Sequence, residues 1–107
     1  MFDEPDFLNG KITHNDLHHI DTQKLLSDQI SQLKEDMFQV RYGERLIIDI
    51  GWFPSFSTEG HFRTVVIQDF DWETPVFEKT CKDMDVLKNH LSEAIVVVSS
   101  LMEAGIK

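Results

Sequence analysis

Apolar residues recur along this chain at two periods, and the switch between them marks out the elements. From position 22 to 37, Leu25, Leu26, Ile30, Leu33 and Met37 fall at helical spacing, with Lys24, Asp28, Gln32 and Glu35 on the other side. Asp21 or Thr22 can cap the start, so the spacing predicts an amphipathic helix over 22–37. Period two follows. Residues 38–42 alternate, and Gly43-Glu44 reads as a two-residue turn in which glycine supplies positive φ. In 45–52, Leu46, Ile48, Ile50 and Trp52 share one face, and Ile47, Asp49 and Gly51 the other. Pro54 ends that run. Residues 61–68 and 76–81 read as third and fourth strands, and the connections 53–60 and 69–75 are longer than tight hairpins need.

A last helical stripe, Met84, Leu87, Leu91, Ala94, Ile95, Val98, Leu101 and Met102, predicts a closing helix near 83–103, capped by Asp83 and stopped by Gly105. Val96-Val97-Val98 is β-branched and loses rotamer freedom in a helix, but the long stripe outweighs that penalty. Residues 1–20, with Pro5, Asn9-Gly10 and a polar run through His19, show little periodicity and read as an irregular N-terminal arm. The expectation is a single α+β domain over 1–107. Its antiparallel sheet has about four strands and two flanking helices, in the order α-β-β-β-β-α, with both helices on one face. Leu46, Ile48, Ile50, Phe62, Val66, Leu87, Leu91 and Ile95 are its expected core.

Composition narrows the function. Nineteen acidic against ten basic side chains give a net charge of −9. Such a chain is repelled by nucleic acid and by anionic membranes and attracted to basic proteins, although the same charge also serves plain solubility. One cysteine, Cys81, excludes an internal disulfide and suits a reducing compartment. The opening MFDEPDFLNG lacks the basic and apolar regions of a signal peptide, and the longest apolar run, Ala94 to Val98, is far below the roughly 20 residues that cross a bilayer. A cytoplasmic protein is expected.

Candidate chemistry is sparse. His14, His18 and His19 are the one histidine cluster; on a helix His14 and His18 would share a face, and Asp16 or Asp21 could add oxygens, but the set is incomplete and no metal is expected. Cys81 reads more readily as a buried thiol than as a nucleophile. Ser55 and Ser57 lack a nucleophile elbow, and Gly51 and Gly60 are too isolated to cradle phosphate, so no cofactor is expected. Asp49 reads as a carboxylate on a solvated outer sheet face, with a functional role as the alternative. Asp69, Asp71 and Glu73 lack the calcium-loop pattern. They surround Phe70 and Trp72, and rings among carboxylates suit a contact surface for a basic partner, unless Trp72 folds back into the core. Glu59, Asp69, Asp71, Trp72 and Glu73 are the leading partner-contact residues, with Asp49 and Phe56 behind them.

The runs Ile47-Ile48-Asp49-Ile50-Gly51-Trp52-Phe53-Pro54, Gly60-x-Phe62 and Asp71-Trp72-Glu73-Thr74-Pro75-Val76 resemble the small immunity proteins of contact-dependent growth inhibition and related bacterial polymorphic toxin systems. In layout the resemblance spans residues 30–102. It implies a non-enzyme that binds a toxin domain in the cytoplasm and blocks it. Many such toxins are nucleases, whose clefts must be basic to hold a polyanion. An accessory or regulatory subunit of a cytoplasmic assembly is the alternative from another class, and an enzyme the third.

Overall fold

In the computed structural model, which describes residues 6–106, five strands form one antiparallel meander in the order β1-β2-β3-β4-β5. They are β1 (Lys11–Asn15), β2 (Phe38–Tyr42), β3 (Leu46–Phe53), β4 (His61–Gln68) and β5 (Phe77–Cys81), followed by one long helix, α1 (Met84–Glu103). The α+β class and the antiparallel sheet agree with the sequence pattern. The strand count and the leading helix do not.

The expected helix over 22–37 is replaced by a kinked 3₁₀ segment, Leu26–Gln32, with non-helical angles at Gln29 (φ −130°, ψ 33°). Tertiary partners take the bonds a helix would have used. The Gln29 amide donates to the Asp21 carbonyl at 2.8 Å and accepts from the Asp21 N–H at 2.9 Å. Further on, the Lys34 carbonyl accepts from Trp52 N–H at 2.8 Å, and Met37 N–H donates to the Ile50 carbonyl at 3.1 Å. Leu33 and Met37 are buried as the stripe requires, but Leu25 is left exposed.

Part of the expected N-terminal arm is the edge strand β1, paired with β2 through Lys11↔Arg41 and Asn15↔Phe38, with a bulge between Ile12 and His14. Its side chains are almost all exposed, so it has no apolar alternation for a sequence reading to find. The β2–β3 hairpin forms with Gly43 at φ +63°, although Tyr42↔Leu46 pairing leaves three residues rather than two in the turn. Asp83 caps α1 by accepting from Val86 N–H at 2.8 Å.

One face of the sheet carries the core. Val40, Ile48, Val66 and Phe77 form a cross-strand row, and Trp52, Phe62 and Cys81 form another. Helix α1 packs on β3, β4 and β5, and Leu17, Ile20, Leu33 and Met37 join the same cluster. All eight expected core residues are buried. The other face has no helix, yet Ile47, Val65 and Ile67 are buried there. Polar pairs roof them: Gln39 with Asp49, Arg63 with Glu78, and Arg41 under the Phe70 ring.

Candidate functional site

The leading candidate residues do not form one patch. Loops 53–60 and 69–76 lie at opposite ends of the eight-residue β4, which spans about 26 Å at the usual strand rise. Phe56 and Glu59 therefore stand at one end and Asp69, Asp71, Trp72 and Glu73 at the other. Asp49 sits between them, in the middle of β3 on the helix-free face.

At the second end, two of the three loop carboxylates are held by the protein itself. Asp69 accepts two hydrogen bonds from the Arg45 guanidinium, at 2.7 and 2.9 Å. That pairing holds its carboxyl below the usual range. Asp71 accepts from the hydroxyl and, at 3.2 Å, the N–H of Thr74, which lowers it likewise. Their role is to shape the loop. Asp69 and Phe70 both take left-handed backbone, with φ +55° and +60°, and Asp71 N–H closes that turn on the Gln68 carbonyl at 3.2 Å. The turn carries Phe70 outward to 5.8 Å from the Arg41 guanidinium. Trp72 points out rather than into the core, 44% exposed, with Phe70 and Val76 also exposed. Glu73 is exposed and forms no ion pair among the described residues.

At the other end, the two tryptophans part ways. Trp52 is core: its indole N–H donates to the Ser57 carbonyl at 2.8 Å, and its ring meets Phe62 edge-on at 4.9 Å. Phe56 is 59% exposed on left-handed backbone (φ +60°), and its N–H donates to the Leu33 carbonyl at 2.7 Å. Ser55 Oγ accepts from Glu35 N–H at 3.0 Å, tying the loop to segment 34–36. Gly51 lets that segment approach β3, because a Cβ there would stand 2.0 Å from the Glu35 carbonyl oxygen.

That approach sets Asp36 beside Asp49. Both line a cavity of about 210 Å³ together with His14, Phe38 and Gln39. Asp49 is therefore half-buried, which corrects the solvated-face reading. Burial pushes its carboxyl up, the 3.1 Å hydrogen bond from Gln39 opposes this, and the charge of Asp36 adds to the rise. Nothing in the alternation of 45–52 signals it, since the groups that bury Asp49 come from β1, β2 and segment 34–36.

His14 lies on β1 rather than on a helix, with Nε2 3.0 Å from both the Asp36 carbonyl and Asp16 Oδ2. Asp16 also pairs with Lys34 at 2.7 Å, and that hydrogen bond holds its carboxyl low. The His18 and His19 rings lie tilted against each other with centroids 4.0 Å apart. Among the described residues no group of three or more ligating side chains could hold a metal ion, and no helix is long and apolar enough to cross a membrane. Burial pushes the Cys81 thiol up to about 11, which leaves it a poor nucleophile at neutral pH. Compared with family models, curated proteins and solved structures, the chain matches none.

Proposed function

We propose that this chain is a non-catalytic, acidic binding protein of the immunity type, which associates with a basic toxin domain in the cytoplasm and covers its active or substrate-binding surface. A nuclease is the favoured target, because its cleft must be basic to hold a polyanion. The observation that carries this reading is loop 69–76. It holds Phe70, Trp72 and Val76 in the open on a backbone braced by Arg45 and Thr74, with the unpaired Glu73 beside them. A pre-shaped loop loses little entropy on binding, and exposed rings supply apolar anchors. The net charge of −9 steers the chain toward a basic partner and away from nucleic acid and anionic membranes. The resemblance in 47–54 and 71–76 to immunity proteins points the same way.

The test is co-purification and binding kinetics with the C-terminal domain of the protein encoded directly upstream of this chain's gene. Trp72→Ala is expected to speed dissociation, and Glu73→Gln to slow association and flatten its salt dependence. Changing Asp69 and Asp71 to amides acts differently, by loosening the loop. No binding by the wild-type chain refutes the reading. Stable recovery with the subunits of a housekeeping assembly instead supports an accessory role.

A further inference from the structure

We infer that a second docking surface for the same basic partner runs from the opposite end of the sheet toward its middle, with Phe56 as its apolar anchor and the Asp36–Asp49 cavity admitting one of the partner's lysine or arginine side chains. The inference rests on the reading that the partner is a basic protein. Four observations build it.

The first is the placing of Phe56. Its ring is largely exposed, and its backbone occupies the left-handed region that glycine and asparagine adopt freely and phenylalanine does not. The second is rigidity around that ring. Phe56 N–H is bonded to Leu33, Ser55 Oγ to Glu35, and the Ser57 carbonyl to the buried Trp52 indole. An anchor held this way meets a partner without first having to be ordered.

The third is charge. Glu35, Asp36 and Glu59 are exposed, and none of them forms an ion pair among the described residues. The fourth is the cavity. Its volume of about 210 Å³ leaves room for a guanidinium or ammonium head. Asp49 accepts one hydrogen bond, from Gln39, and an ionised carboxylate has about four acceptor sites. The arginines of that face are engaged elsewhere, Arg63 with Glu78 and Arg41 with Gln39. The Ser55–Glu35 bond ties the Phe56 loop to segment 34–36, whose Asp36 lines the cavity.

The experiment measures binding of the full chain to the upstream-encoded domain by surface-immobilised kinetics, at low and at physiological salt. Phe56→Gly, Asp49→Asn and Trp72→Ala are compared with the wild type. Phe56→Gly is expected to speed dissociation by about tenfold, as for an interface anchor. Asp49→Asn is expected to speed it by a smaller factor and to weaken the salt dependence. Should Phe56→Gly fail to fold, Phe56→Asn replaces it, since asparagine tolerates the same backbone. If Trp72→Ala weakens binding while the Phe56 and Asp49 variants bind like wild type, the second surface is refuted and the proposed function stands. If the wild type does not bind, both fall together.

Discussion

Replacing Gly51 by alanine tests the contact on which the Asp36–Asp49 cavity depends. The added methyl would stand 2.0 Å from the Glu35 carbonyl oxygen, 2.9 Å from its carbon and 2.7 Å from Phe53 Cε2. A carbon and a carbonyl oxygen normally stay about 3.3 Å apart, so segment 34–36 has to retreat by roughly 1.3 Å. Two backbone hydrogen bonds bracket it, Trp52 N–H to Lys34 at 2.8 Å and Met37 N–H to Ile50 at 3.1 Å. A retreat of that size breaks both or distorts β3. Losing two such bonds costs about 1 kcal/mol each, and overpacking a filled site costs about 1–3 kcal/mol, partly the same energy counted twice. Gly→Ala returns about 0.4–1 kcal/mol by restricting the unfolded chain. The net expectation is a loss of about 2–3 kcal/mol, or a Tm lowered by about 8–20 °C for a domain of this size. Urea denaturation followed by tryptophan fluorescence measures it, since buried Trp52 sits next to the substitution. A loss below about 0.5 kcal/mol would mean that segment 34–36 does not rest on β3, which removes the wall of the cavity.

Leu91→Ala, at a fully buried position of α1, is expected to cost about 2–5 kcal/mol in the same melts, and a value under half a kcal/mol would mean the helix stripe does not pack as described. Burial raises the Asp49 carboxyl above its ordinary 3.8, so the folded state binds that proton more tightly, and this stabilisation is present at low pH and lost as pH rises through the folded pKa. Asp49→Asn should therefore raise Tm at pH 7 and give no gain below about pH 3.8; an equal shift at both pH values would refute the assignment. Asp16 has the opposite sign: its pairing with Lys34 lowers its carboxyl, giving stability that is present above 3.8 and lost as pH falls through the folded pKa. Asp16→Asn should lose about 1 kcal/mol at pH 7 and little at pH 2, read from urea midpoints at the two pH values.

What could be read from the chain was whatever repeats locally. Alternation in 38–42 and 45–52 located two of the inner strands, because one face of each packs into the core at every second residue, and the β-type run in 61–68 located the third. The stripe from Met84 to Val98, with Asp83 before it and Gly105 after it, located α1 for the same reason at the helical period. Loop aromatics among carboxylates marked Phe56 and Trp72, and both are exposed. The rest depends on partners far along the chain, which leave no local period. Residues 22–37 have helical spacing, but Asp21, Ile50 and Trp52 take their backbone and side-chain bonds into the tertiary structure. Strand β1 exists because β2 offers it an edge, without any apolar pattern of its own. Asp69 looked available beside Trp72 until the fold brought Arg45 to it across 24 positions of sequence. Asp49 looked solvated until β1, β2 and segment 34–36 closed around it. Burial against the core recurs with the period of the element and so is written into the sequence. The pairing of a carboxylate or a backbone carbonyl with a distant donor is decided only when the strands come into register.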